Sequence, residues 1–183
     1  MKKLIVLLLL LLIFLLGVYC SLTTQPDAEV LNELHRVLPR YRAHITKSNV
    51  AVLIDYDQPL FRRRLWVIDL KTGAMLLNAH VSHSFKSGIL FARDFSNDPK
   101  SYKSCRGALV TGKAFQGRGG YSLQLNGLDK DVNDNASRRS IIFQGKYRPW
   151  SFGSFITAPP VNQKLIDLVQ GGVFVWVHAR EPQ

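Results

Sequence analysis

Few residues of this chain could carry chemistry. Beyond its apolar leader the one thiol inside the chain is Cys105, with Cys20 at the leader's boundary. That count excludes a disulfide scaffold and a Cys-based structural zinc site. His80 and His83 have a spacing that could hold a metal, but no Asp, Glu or Cys nearby completes a ligand set. Gly112-Lys113-Ala114-Phe115-Gln116-Gly117-Arg118-Gly119 has the outline of a phosphate loop. It lacks the Lys-Ser/Thr pair after the second Gly and sits in a β context rather than between a strand and a helix. Asp129-x-Asp131-x-Asn133 starts like a calcium loop, yet Asp134 stands where position six needs Gly and Ser140 where position twelve needs Glu. It reads as a turn-rich connection. No metal and no cofactor are expected.

The densest stretch is 95–155, rich in Gly, Ser, Asn and Asp. Two alternating runs cross it, Tyr121-Ser122-Leu123-Gln124-Leu125 and Arg139-Ser140-Ile141-Ile142-Phe143-Gln144, and both predict strands joined by structured loops. Such loops on a rigid sheet are common places for a site. The stretch holds several words in a fixed order: Phe95-Ser96-Asn97, Ser104-Cys105-Arg106-Gly107, Gly117-Arg118-Gly119-Gly120-Tyr121-Ser122-Leu123, and Gly127-Leu128 with Asn133 following. Ala136, Arg139, Ile141 and Gly145 continue the series. In these words the chain resembles the murein L,D-transpeptidase catalytic-domain family over roughly 50–178. The resemblance implies a mainly β domain, an L,D-transpeptidase-like β-sandwich of curved sheets with a few short helices.

The resemblance also locates a departure. The family's catalytic His precedes a Gly on the second strand, where this chain has Gln144-Gly145. Its nucleophilic Cys follows a late Gly, where this chain has Ser151-Phe152-Gly153-Ser154. In the family a thiolate attacks the peptide of a cell-wall stem, the His takes the thiol proton, and the acyl group passes to an amine. Gln144 has no basic nitrogen, and a Ser hydroxyl depends on a base far more than a thiol does. General-base help is worth roughly a hundred- to ten-thousand-fold. By resemblance His83 lines the site without being the base, and Ser104 and Cys105 occupy a Ser-Ser turn near the pocket. Asn133, Arg139, Gly145 and Gly153 complete the expected binding set. Three readings stay open: a binding domain without acyl transfer, an enzyme using Ser154, or Cys105 with His83 as base, and a purely structural envelope protein that binds neither wall peptide nor partner.

The elements that must position these groups follow from periodicity. Asp27 can cap a helix in which Val30, Leu31, Leu34, Val37 and Leu38 form one apolar stripe, ended or kinked by Pro39. Strands are expected over 50–56, 65–70 and 75–81, with a hairpin turn at Lys71-Thr72-Gly73. Arg62-Arg63-Arg64 reads as a solvated loop, or as an anion site. Residues 150–156 read as a late loop, interrupted by Ala158-Pro159-Pro160, and Asn162 as the cap of a short helix over 163–169. Residues 173–177 are apolar on both faces and predict a central strand.

The N-terminus bounds the compartment. Lys2-Lys3 precede an unbroken apolar run over 4–16, which is an export signal. Carried on to Cys20 the run sits at the lower limit for spanning a bilayer, so a cleaved signal and an uncleaved membrane anchor are both open. Lipidation of Cys20 ranks below them, because bulky Tyr19 stands where a small residue is needed. Of 183 residues, 24 are basic and 13 acidic, for a net charge of +11. A basic exported protein prefers anionic lipid head groups or cell-wall polymers, not nucleic acid. The expected organisation is a signal or anchor over 1–20, a linker and helix over 21–47, and the L,D-transpeptidase-like domain over 48–183. The expected protein is exported, acts at the periplasmic or extracytoplasmic face of the inner membrane, and binds peptidoglycan stem peptides or cell-wall proteins.

Overall fold

The computed structural model describes residues 2–21, 25–117 and 119–180. The leader forms α1 (Lys2–Ser21), whose large apolar side chains from Leu4 to Val18 are exposed. Among the described residues no helix is long and apolar enough to cross a membrane. An anchor therefore gains no support from the structure. Residues 22–24, part of the expected linker, lie outside the described residues.

α2 (Ala28–Val37) begins where the sequence predicts: the Asp27 carboxylate accepts a hydrogen bond from Glu29 N at 2.8 Å. Its stripe buries Val30, Leu34 and Val37 against one face of a sheet, among Ala51, Leu53, Trp66, Ile68 and Phe174. Burying each such side chain is worth about 1.5–3 kcal/mol. Residues 28–37 are thus part of the domain's packing rather than a separate linker segment. Pro39 does not stop the chain turning. It sits at the start of a 3-10 helix (Leu38–His44), where its missing N–H costs nothing.

The sheet is built from β1 (Val50–Asp55), β2 (Leu65–Asp69), β3 (Met75–Ala79), β5 (Gly107–Gly117), β6 (Gly120–Gly127), β7 (Ile142–Gly145), β9 (Phe155–Thr157) and β10 (Phe174–His178). Its order is β3-β2-β1-β10-β5-β6-β7-β9. β1–β10 and β7–β9 are parallel pairs and the other neighbours are antiparallel. β4 (His83–Ser84) and β8 (Trp150–Ser151) make a separate two-stranded ribbon. β10 lies mid-sheet, as its two apolar faces predict: Phe174 faces α2, while Val175 and Val177 join the opposite core. That second core is closed by Leu165, Ile166 and Val169 of α3 (Pro159–Val169).

Several expectations need correction. β5, the longest strand, is absent from the strands that the sequence predicts, and it runs through the stretch that has the outline of a phosphate loop. β7 starts at Ile142 rather than Arg139, because Ser140 has φ +53 and belongs to the preceding turn. Pro159 and Pro160 open α3 instead of breaking the chain, since φ of proline suits the first helical turn. Asn162 lies inside α3 and donates its amide to Tyr121 O at 2.7 Å. Arg64 is fully buried, not solvated. Trp66, Ile68, Leu123, Leu125, Val175 and Val177 are buried, and Ile142 is half-buried.

The turn after β6 is held by one buried amide. Asn133 Nδ2 donates to Arg106 O at 2.7 Å and Ala108 O at 3.0 Å, and its Oδ1 accepts from Asp129 N at 3.0 Å. The Asp129 carboxylate accepts from Ala108 N at 2.7 Å and from the Tyr41 hydroxyl, so its oxygens already have protein donors. Burial of Tyr41, together with this bond, pushes its hydroxyl up to about 12. Asn133→Ala removes three bonds and takes the acceptor from Asp129 N, while Ala108 O keeps Leu128 N at 3.0 Å. We expect it to cost about 2–4 kcal/mol, read as a lower urea midpoint at unchanged slope. An unaltered midpoint would remove Asn133 from this role.

Candidate functional site

β7 positions one half of the expected site. Its neighbours fix the register Ser122↔Gln144 on one side and Gln144↔Ile156 on the other. Alternation sends Phe143 into the core and turns Ile142 and Gln144 to the opposite face. There they line a cavity of about 500 Å³ together with Ser122, Gln124, Ser140 and Lys146. The Gln144 amide lies against the β5–β6 turn: a Cβ on Gly119 would fall 2.7 Å from Gln144 Oε1. Ser154 precedes β9. Its hydroxyl donates to Ser140 O at 3.2 Å and accepts from Ile142 N at 3.4 Å. Ser154 is buried beside two residues of the cavity wall and does not itself line it.

Other expected site residues hold this frame together. Gly145 lets α3 approach β7, since a Cβ there would sit 2.9 Å from Pro159 Cα. Gly153 has φ +116, which only glycine adopts readily, and its N donates to Ser151 Oγ at 3.1 Å. Arg139 donates to the carbonyls of Ser96 and Lys103 and, at 3.3 Å, to Ser101 Oγ, lacing the 96–103 loop to the turn before β7. Ser104 Oγ accepts from Ser84 N at 2.8 Å, and Ser104 N donates to Ser87 Oγ at 2.8 Å. None of Ser104, Cys105, Asn133 and Arg139 lines the cavity. Cys105 has no exposed surface, and burial pushes its thiol up to about 11 against the pull of Arg139. A thiolate there is disfavoured at neutral pH.

His83 is tied at both nitrogens, at Nδ1 by Arg64 and at Nε2 by Gly88 O, and nothing in the local sequence pairs Arg64 with it. The Arg64 guanidinium is fully buried. It donates through Nε and Nη2 to Val81 O at 3.1 and 2.9 Å, and through Nη1 to Gln58 O at 2.9 Å. Nη2 also donates to His83 Nδ1 at 2.7 Å. A guanidinium has no acceptor, so Nδ1 must carry the lone pair and Nε2 the proton, which goes to Gly88 O at 2.9 Å. The guanidinium lies 4.8 Å over the Tyr56 ring. Burial pulls Arg64 down to about 10, and burial plus the Arg64 charge holds His83 down to about 4. His83 has no free lone pair to act as a base.

The metal question moves elsewhere. His80 is exposed after the end of β3. Asp55, Asp57 and His178 bring potential ligand atoms within 4.8 Å of one another, a grouping the linear sequence hides. It is organised as an ion-pair cluster. His178 Nδ1 donates to Glu33 Oε2 at 2.5 Å, its Nε2 lies 3.4 Å from Asp57 Oδ2, and Arg180 Nε lies 2.9 Å from that same oxygen. The cluster fastens α2 to β10.

Comparison with known proteins agrees with this architecture. The family model described as L,D-transpeptidase catalytic domain matches residues 23–178. No curated protein matches the chain. Among solved structures, the helical cell shape determining protein Pgp2 from Campylobacter jejuni superposes with a TM-score of 0.54 at 11% identity, covering 75% of this chain and 50% of that one. An L,D-transpeptidase from Stackebrandtia nassauensis is similar at 16% identity and a TM-score of 0.46, covering 81% of this chain and 65% of that one. The chain therefore spans less than two thirds of the length of either structure. At these identities the likeness concerns the fold.

The Arg64–His83 pair makes stability depend on pH in a defined direction. The folded state keeps His83 neutral down to about 4, whereas the unfolded chain takes up the proton near the ordinary value of about 6.5. Between those values the unfolded state binds more protons, so stability falls as pH falls from about 6.5 to 4, by up to about 3 kcal/mol. Above about 6.5 this group contributes no slope. Urea melts from pH 7 to pH 4 should show the loss, and His83→Gln should flatten part of it. An identical pH profile in that variant would contradict the assignment.

Proposed function

Because the chain belongs to the L,D-transpeptidase catalytic-domain family, we propose that it is an exported cell-envelope protein that binds peptidoglycan stem peptides, or a wall-building partner, without acyl transfer. The observation that carries this reading is the pair Gln144 and Ser154, which stand where the resemblance puts the family's base and nucleophile. The Gln144 amide accepts no proton at these pH values. The Ser154 hydroxyl is engaged with Ser140 O and Ile142 N, with no imidazole among its hydrogen-bond partners. Activating a hydroxyl requires an adjacent base.

A peptide fits the chemistry of the cavity that Gln144 lines. Ser122, Gln124, Ser140 and Gln144 offer hydroxyl and amide groups to a peptide backbone, and Lys146 offers a cation to a stem carboxylate. Export is supported by Lys2-Lys3 and the apolar run that follows. The alternative, an active transpeptidase using Ser154 or Cys105, meets two obstacles besides the missing motif pair: the sealed thiol and the doubly bonded His83.

The deciding sample is the wild-type protein incubated with a carbapenem, whose strained amide acylates thiolates of this family. Intact-mass spectrometry should show unmodified protein, while a labelled tetrapeptide muropeptide binds saturably and is returned unchanged. A carbapenem-sized adduct or muropeptide turnover would overthrow the proposal, and mapping the adduct would choose between Ser154 and Cys105.

A further inference from the structure

Segments 85–93 and 146–152 contain Lys86, Arg93, Lys146 and Arg148 and no Asp or Glu. The fold lays them side by side. His83 pairs with Trp150 in the small parallel ribbon, Trp150 Nε1 donates to Ile89 O at 2.8 Å, and Phe85 stands edge-on to Trp150 at 5.7 Å. Their apolar side chains point outward: Ile89 and Phe152 are each 66% exposed, Phe85 56% and Leu90 44%. Lys86 lies 5.2 Å over the Tyr102 ring and Arg148 5.6 Å over that of Phe152. A cleft of about 390 Å³, walled in part by Phe61, Leu90, Tyr147 and Pro149, opens beside them.

A contiguous exposed apolar patch marks an interaction surface. Its chemistry selects the partner. Aromatic rings settle at the head-group level of a bilayer, aliphatic tips reach the acyl boundary, and Lys and Arg meet anionic head groups. A hydrated soluble polyanion would match the four bases but leave Ile89, Leu90 and Phe152 in water. We propose that this face seats on the surface of an anionic lipid bilayer. The inference uses neither Gln144 nor Ser154. Lys146 lines both the cleft and the Gln144 cavity, so the seated face adjoins that cavity.

The test uses the full chain with vesicles of brominated lipids and reads quenching of Trp150, isolated by subtracting Trp150→Phe. Helix α1 is apolar enough to associate with any vesicle, so neutral phosphatidylcholine is compared with vesicles containing about 30% phosphatidylglycerol. Quenching of Trp150 should be at least about twofold greater on the anionic vesicles. Ile89→Asp and Arg148→Glu, both at the surface, should each return it to the neutral level. Equal quenching on the two vesicle types, or quenching indifferent to both substitutions, overturns the proposal. So does protection of backbone amides 85–93 by soluble polyglutamate without any lipid quenching, which would assign the face to a wall polymer.

Discussion

A guanidinium buried without a bonded carboxylate ties the turn after β1 to the segment that runs from β3 into β4. Desolvating a charge is expensive unless each donor finds an acceptor. Arg64 finds them on two stretches, Gln58 after β1 and Val81 with His83 on the run from β3 into β4, and His83 in turn donates to Gly88 O. Neither stretch can shift without exposing an unmatched donor in the interior. Tyr56 supplies the remaining wall, stacked between Phe95 and Phe155. Burial raises the Tyr56 phenol further above its usual range, so the ring stays neutral beside the charge. The floor beneath β9 is therefore set by electrostatics as much as by apolar packing.

That floor explains why the expected site residues divide as they do. Gln144 and Lys146 face an open cavity, and Ser154 sits just behind its wall. The other polar residues of the constellation are committed to carbonyls and amides of the loops around it. The loops around the cavity are heavily cross-bonded, whereas the two positions that the resemblance gives to a reactive pair carry an amide and a hydroxyl. A scaffold of this kind keeps the shape of a peptide-sized cavity independently of what stands at its centre.

Much of the fold was legible in the chain because period and capping are local. The Asp27 cap, the stripe of α2, the alternation of β6 and the two-faced hydrophobicity of β10 each required only a short window. The failures share a physical cause in long-range context. β5 carries three glycines and alternates poorly, and it is a strand because β10 and β6 flank it. Nothing within Arg62-Arg63-Arg64 distinguishes the residue that is buried, since its acceptors come from distant turns. The Asp55–Asp57–His178 grouping joins β1 to β10 across more than a hundred residues. Of the site, motif order singled out Gln144 and Ser154, which the fold brings to one cavity and to the back of its wall. That Cys105 and His83 are chemically occupied does not follow from motif order, because burial and bonding partners are tertiary properties.

The parallel pairing of β1 with β10 has a temporal consequence. The strand that fills the middle of the sheet comes after all its other described strands in the chain, and β1 and β5 remain separated until it pairs. Among the described residues nothing before β10 joins β1 to β5, so the sheet closes its longest loop late. Until then the strands of 50–127 present unpaired edges, the form of a β-rich chain most exposed to aggregation. Loss of a few residues at the C-terminal side of Val173 would split the sheet through its centre rather than trim its border.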